Sequence, residues 1–218
     1  MIKTLVLLGT GAALAALGLT SPIGPSSAPT AECAGAGDFT YVEARDTTVW
    51  GGACHVSGEA ACFGRRAACA FDFGDARVVL SVLGDRNLQG QDVFRAGGAA
   101  QVKVEAWVDG ADPEAALALA YAQIPDLPAP VQVHRAPVAF AVDGEGFSVR
   151  VPGEIELAGE LVPDRACCTM PESRWYAPLA RVEGAVVGCA DSCRVDGAEL
   201  GYWAFEGENS VFIARSSG

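Results

Sequence analysis

Eight cysteines place the strongest constraint on how this 218-residue chain folds. Their chemistry depends on the compartment, which the N-terminus predicts. Lys3 is followed by an apolar run from Thr4 to Leu19, which has the regions of a secretory signal peptide and is short for a membrane span. We therefore expect a periplasmic or secreted protein in an oxidising compartment. There, cysteines form disulfides by default, and the candidates are Cys33, Cys54, Cys62, Cys69, Cys167, Cys168, Cys189 and Cys193.

The signal peptide and processed segment are expected to cover residues 1–31. Cleavage after Ala31 leaves all eight cysteines in the mature chain, whereas cleavage at the rival site, Ala34-Gly35-Ala36, removes Cys33. Residues 32–218 then form a single domain that is large enough for a real hydrophobic core. Disulfides would staple a domain that already folds.

The charge distribution excludes two classes of partner. The chain has 15 basic and 27 acidic residues, a formal net charge of −12, and no block of like charge. This balance argues against nucleic acid and against anionic membrane surfaces. No later apolar stretch approaches about eighteen residues, so we expect no membrane span in the mature chain.

Period-two alternation predicts a β-rich fold. The clearest strand is Gln101 to Val108, where Val102, Val104, Ala106 and Val108 alternate with Gln101, Lys103, Glu105 and Trp107, as in a sheet with one buried face. Further strands are predicted at Phe39–Val49, Arg77–Leu83, Val131–Val142, Phe147–Val151 and Glu154–Leu161. Turn residues at 143–146 and at Pro152-Gly153 join the later strands into an antiparallel meander.

One helix is predicted at about 112–124. Asp112 is suited to cap it, Pro113 fits its first turn, and Pro125 ends it. Its apolar face consists of Leu117, Ala120, Tyr121 and Ile124. The sequence therefore predicts an α+β fold, in which this principal helix packs on one face of a mainly antiparallel sheet. A β-sandwich with one surface helix is the alternative.

Scattered short motifs carry a family resemblance. They are the segment Gly37–Arg45, the Gly52-Ala53-Cys54-His55 turn followed by Glu59, the Val108-Asp109 strand end leading into Ala111-Asp112-Pro113-Glu114, and Trp175-Tyr176-Ala177-Pro178-Leu179. The chain resembles bacterial proteins grouped as domain of unknown function 1326, as an exported member. The resemblance implies no activity, substrate or catalytic residue.

Cys54-His55, with Cys62 and Cys69 eight and seven residues further on, is the first chemical cluster. Thiolate and imidazole are ligands for Zn²⁺ or Cu(I). The intervals are longer than those of a zinc knuckle and are more typical of disulfides. The cluster is therefore a candidate for either role, and disulfides are favoured.

Cys167, Cys168 and Met170 form the second cluster, and their three sulfur atoms suit a soft metal such as copper. Adjacent cysteines rarely bond to each other, so each is expected to pair with a distant cysteine. A metal site or a redox-active vicinal pair is the alternative. Cys189 and Cys193 are expected in a turn, where a short local disulfide or half of a metal site is possible.

Other polar residues are expected to be structural. Glu43, Arg45 and Asp46 are expected on the exposed face of an edge strand, and a polar cluster beside Cys54 is the alternative. His134 reads as a solvated or hydrogen-bonded strand residue. The aromatic pairs and tryptophans are expected in the core more often than in a binding groove, and they are Trp50, Trp107, Trp175-Tyr176 and Tyr202-Trp203.

Two classes of function remain. The favoured one is an exported binding or structural domain that takes an unidentified small ligand or protein, since no known catalytic motif is present. Its Cys/His segments are candidates for a Cu or Zn site through Cys54, His55, Cys167, Cys168 and Met170. The alternative is an exported thiol-dependent redox enzyme or hydrolase that uses Cys54 with His55, or the vicinal pair.

Overall fold

The computed structural model describes residues 37–49, 64–88, 101–144, 146–161 and 176–216. These residues belong to one compact unit, Gly35–Gly218. Within these ranges, no helix is long and apolar enough to cross a membrane.

The described ranges contain eleven strands and one helix. The first part of the chain forms β1 Phe39–Arg45, β2 Arg66–Asp72, β3 Arg77–Gly84, β4 Val102–Asp109, α1 Pro113–Gln123 and β5 Gln132–Arg135. The second part forms β6 Ala139–Val142, β7 Gly146–Val151, β8 Ile155–Leu161, β9 Val186–Gly197, β10 Gly201–Ala204 and β11 Gly207–Ser216.

All eleven strands join one curled sheet, a half-barrel. The strand order is β5-β4-β3-β2-β1-β11-β9-β8-β7-β6, and β10 pairs with the end of β9. Every pairing is antiparallel except β4 with β5, which are parallel because α1 lies between them in the chain. The prediction of a mainly antiparallel sheet with one helix is confirmed.

Two apolar clusters pack against the two faces of the sheet. The first lies under α1 and includes Phe71, Leu80 and Ala120. The second joins side chains from distant strands, such as Val79 of β3 and Leu157 of β8, so it fills the concave side. Each strand in the middle of the sheet is therefore covered on both faces.

This double coverage corrects the interpretation of β4. The sequence predicted one buried face, and Val104, Ala106 and Val108 do pack into the cluster under α1. Glu105 and Trp107 on the other face are also fully buried, because the curl of the sheet encloses that face as well. The alternation of apolar and polar residues thus predicted the position of the strand correctly, but it did not predict that the second face is buried.

The predicted helix and most predicted strands lie close to their expected positions. Asp112 caps α1, since its Oδ1 accepts a hydrogen bond from the backbone N–H of Ala115 at 3.1 Å. The predicted strand Val131–Val142 is instead two strands, β5 and β6, interrupted around Pro137. Proline has no N–H for a ladder, so it breaks the strand there.

Candidate functional site

The residues of the predicted metal site lie outside the described residues. This holds for Cys54, His55, Cys167, Cys168 and Met170, and for the disulfide candidates Cys33 and Cys62. Within the described ranges, no group of three His, Cys, Asp or Glu residues is arranged to hold a metal ion. The metal site remains a prediction.

The three described cysteines, Cys69, Cys189 and Cys193, are free thiols. Burial raises the pKa of the Cys69 thiol, and the nearby Glu43 carboxylate raises it further. Burial, with a smaller contribution from Asp46, raises the pKa of Cys193 to about 12. Because the thiolate is the reactive form, both buried thiols are poor nucleophiles at neutral pH. The predicted disulfides remain a prediction.

Cys189 and Cys193 lie in a strand, which corrects the predicted turn. Both belong to β9, where Cys189 pairs with Glu160 and Cys193 pairs with Leu157. Residues four apart in a strand are separated by roughly 13 Å, whereas disulfide-bonded Cα atoms lie less than about 7 Å apart. The option of a short local disulfide between them was therefore wrong.

Glu43 and Arg45 form a buried ion pair, not an exposed edge. Strand β1 lies in the middle of the sheet, between β2 and β11, and both side chains are 0% exposed. Arg45 Nε donates to Glu43 Oε1. A buried pair of charges needs further hydrogen bonds to offset its loss of water.

Those further hydrogen bonds come from distant parts of the chain. Glu43 Oε2 accepts from the Tyr41 hydroxyl and from the backbone N–H of Leu179, the latter at 2.8 Å. Arg45 donates through Nη1 to the carbonyl of Leu88 at 2.9 Å and through Nη2 to the carbonyl of Ala177 at 3.1 Å. The ion pair therefore ties residues near 88 and 177–179 to the centre of the sheet.

Tyr176 adds further hydrogen bonds to this region of the fold. Its backbone N–H donates to the carbonyl of Val49 at 3.2 Å, and its hydroxyl accepts from the N–H of Gly64 at 3.0 Å. Leu88 N–H donates to the Gly64 carbonyl at 2.8 Å, and the Arg45 guanidinium lies 5.6 Å from the Tyr176 ring centroid. We call Val49, Gly64, Leu88 and Tyr176 the anchor residues. Val49 and Gly64 are the described residues on either side of segment 50–63, Leu88 precedes segment 89–100, and Tyr176 follows segment 162–175.

A second buried carboxylate lies on the concave side. Glu105 is 0% exposed and accepts backbone N–H bonds from Ala198 at 3.0 Å, from Glu199 at 3.2 Å and from Leu200 at 3.1 Å. His134 Nε2 lies 2.7 Å from Glu105 Oε1. Glu105 therefore holds the turn between β9 and β10 against β4 and β5.

His134 is a hydrogen-bonded strand residue, as expected. Its ring stacks on Trp107, with centroids 5.1 Å apart and an angle of 16° between the planes. The Trp107 indole N–H donates to Glu154 Oε2. The His134 side chain is 23% exposed, so this carboxylate–imidazole pair has access to solvent at one point. Its contacts orient the ring and connect three parts of the sheet.

The sequence analysis missed the role of Glu105 because it assigned that residue to an exposed face. One signal was present, since Trp107 shares that face and a tryptophan is rarely left in solvent. The aromatic residues expected in the core are confirmed for Trp107, Tyr176 and Trp203, which are buried. Tyr202 is 59% exposed, and the remaining two, Trp50 and Trp175, lie outside the described residues.

No protein-family model, no curated protein and no solved structure matches this chain. The resemblance to domain of unknown function 1326 therefore remains a prediction from short motifs.

Proposed function

We propose that the protein is an exported binding domain in which the curled sheet is a rigid support for Cys/His segments that bind a soft metal, Cu(I) in preference to Zn²⁺. Cu(I) accepts two or three sulfur ligands, whereas structural Zn²⁺ takes four ligands. An incomplete sulfur set therefore suits copper better. Export is inferred from the signal-like N-terminus, and the family assignment to domain of unknown function 1326 belongs to the same proposal.

The hydrogen bonds among the anchor residues are the observation that carries this proposal. The backbone N–H of Tyr176 donates a hydrogen bond to the carbonyl of Val49 at 3.2 Å. Val49 precedes segment 50–63 and Tyr176 follows segment 162–175, and these two segments hold the candidate ligands. A chain spans at most about 3.6 Å per residue. Cys54 is five residues from Val49 and Cys168 is eight from Tyr176, so chain length permits the two ligand sets to meet.

The buried ion pair supports the same role. Glu43 and Arg45 hold the anchor region through hydrogen bonds to Leu88, Ala177 and Leu179. A metal site gains affinity when the chain around it is ordered before binding, because less conformational entropy is then lost. The central strand β1 thus supplies a fixed base for both segments.

A thiol enzyme is less well supported. Of the described cysteines, Cys69 and Cys193 are buried, and burial raises the pKa of each thiol. Catalytic thiols instead have lowered pKa values and access to substrate. An enzyme would therefore have to use cysteines outside the described residues.

The test is an anaerobic Cu(I) titration of protein purified from the extracytoplasmic fraction, against a strong Cu(I) chelator. We expect the parent to retain copper and the variant Cys167→Ser/Cys168→Ser to lose it to the chelator, because two of the proposed sulfur ligands are gone. A parallel Zn²⁺ titration measures the preference for copper.

The matched control is Cys189→Ser, which removes a half-buried thiol outside both ligand segments. It should retain copper like the parent. Equal retention by the parent and the double variant, or no retention by the parent, would overturn the metal proposal. Absence of the protein from the extracytoplasmic fraction would overturn export.

A further inference from the structure

A row of charged side chains crosses the convex face of β7, β8 and β9. Arg150 pairs with Glu156 across the first two strands, and Glu156 pairs with Arg194 across the next. Their neighbours Val151 and Ile155 point to the concave side, where they pack into the second apolar cluster. Because side chains alternate along a strand, the three charged residues lie together on the opposite face.

A cleft of about 430 Å³ lies beside this row. Its size falls within the range of small-molecule sites. Three charged side chains line it, and its remaining wall is formed by Pro137, Ala139, Pro152 and Gly153. Val151 and Ile155 also border the cleft, but their side chains are buried in the core. The cleft thus combines an apolar wall with a few charged groups, which is the composition of sites that orient a ligand by one polar end.

Of the three charged side chains in the cleft, that of Arg194 has no partner among the described residues. Arg150 Nη2 bonds to Glu156 Oε1 at 3.0 Å, so the Glu156 charge is already paired. Within the described residues, neither Glu156 nor Asp196 lies within 4.0 Å of the Arg194 guanidinium, and no hydrogen bond to it is present.

A partly buried guanidinium without a partner is unusual among the described arginines. Two others, Arg135 and Arg181, also lack a hydrogen-bonded or ion-paired partner, but both are exposed to water. Arg194 is partly buried. An arginine that has lost part of its hydration gains from an anion that restores its hydrogen bonds. In a chain with a net charge of −12, a free guanidinium in a cleft offers a localised site for such an anion.

We propose that this cleft binds a small organic acid, with the carboxylate on Arg194 and the apolar body against Pro137, Ala139 and Pro152. A guanidinium binds a carboxylate through two parallel hydrogen bonds, which fixes the orientation of the ligand. The site is separate from the anchor residues and does not depend on the metal proposal.

The experiment compares benzoate with benzamide, its neutral counterpart of nearly equal shape. Both are titrated into the full mature protein, and binding is measured by calorimetry and by backbone amide shifts. We expect benzoate to bind and to shift the amides of Ala139, Val151 and Arg194. Benzamide should bind at least about tenfold more weakly, because a charged hydrogen bond is lost.

The variants Arg194→Gln and Arg181→Gln separate a specific site from general attraction to arginine. Arg194→Gln should weaken benzoate binding at least about tenfold, while Arg181→Gln leaves it unchanged, since Arg181 is exposed and lies outside the cleft. If Arg194→Gln does not fold, the unmodified protein still tests the proposal, through its preference for benzoate over benzamide and through the position of the shifted amides.

Three binding results would overturn the proposal. These are equal binding of benzoate and benzamide, no benzoate binding by the parent, and equal benzoate affinity in both variants. Amide shifts confined to residues outside the cleft would have the same consequence.

Discussion

At the scale of single residues, Glu43–Arg45 is the one ion pair among the described residues in which both side chains are fully buried. Both residues are 0% exposed, and their remaining hydrogen-bonding groups are satisfied by Tyr41, by Leu179 and by two backbone carbonyls. Removal of one partner leaves the other charge buried without compensation. The pair is therefore more sensitive to single substitution than to replacement of both members.

We expect Glu43→Gln to lower the free energy of unfolding by about 3–5 kcal/mol, because the Arg45 charge loses its partner. Chemical denaturation with a fluorescence or circular dichroism readout measures the change. The double variant Glu43→Leu/Arg45→Met should recover much of the loss, since two apolar side chains of similar volume need no compensation.

Glu160→Gln is the matched control, because the exposed side chain of Glu160 makes no hydrogen bond or ion pair among the described residues. It should change stability by no more than about 0.5 kcal/mol. A Glu43→Gln protein as stable as the control would contradict the role of the pair.

At the scale of elements, α1 shows how local signals set the bounds of a helix. Asp112 caps its N-terminus, Pro113 occupies its first turn, and the backbone N–H of Ile124 closes the last turn on the carbonyl of Ala120. Ala116, Ala120 and Ile124 then bury one side of α1 in the first apolar cluster. The helix thus combines its own capping with tertiary packing.

We expect Asp112→Ala to destabilise the protein by about 1 kcal/mol, because the Ala115 N–H loses its acceptor. In a domain of this size, that change lowers Tm by about 2–4 °C. Thermal unfolding followed by circular dichroism measures the shift. Asp191→Ala, an exposed aspartate in β9, serves as the control and should leave Tm unchanged. A larger loss in the control than in Asp112→Ala would reject this account of the cap.

Strand β9 shows a local irregularity that a periodic pattern does not predict. The pairing with β8 shifts between Ala158 and Gly159, so Asp191 is an extra residue opposite β8. A Cβ atom at Gly159 would overlap the carbonyl of Cys189. Glycine therefore permits the close approach at this bulge. The inserted residue changes which side chains of β9 face the concave side.

At the scale of the whole molecule, stability comes from two apolar clusters on opposite faces of one sheet. The described cysteines contribute to them as free thiols, Cys69 in the first and Cys193 in the second. Free cysteine packs as a small apolar side chain. Disulfides elsewhere in the chain would therefore add to a core that is already complete on both faces.

We expect reduction of the exported protein to lower Tm without unfolding it at room temperature. Loss of a disulfide removes a constraint on the unfolded chain and typically costs about 2–4 kcal/mol, whereas the apolar clusters remain. Circular dichroism melting curves with and without a reductant test this, with intact mass after alkylation to confirm reduction. Loss of the β-sheet spectrum on reduction at 25 °C would contradict it.

The sequence located α1 and the strands with a clear alternating pattern, because these signals are local. The alternation of Gln101–Val108 identified β4, and Asp112 with Pro113 identified the start of α1. Strands β9, β10 and β11 were not predicted. For β9, the Cys189–Cys193 segment was interpreted as a turn, and the bulge at Asp191 interrupts the period of two. Strand β2 was missed because it is buried on both faces and shows no alternation.

What the amino-acid sequence determined by itself was the α+β class and the helix at 113–123, because capping and periodicity act over a few residues. Only the tertiary structure decided which polar residues are buried. Glu43 and Arg45 lie in the centre because β11, from the far end of the chain, pairs with β1, and Glu105 is enclosed because the turn at 198–200 closes over it. The burial of a residue depends on its neighbours in space, and a local sequence pattern cannot predict contacts with residues that are more than ninety positions away.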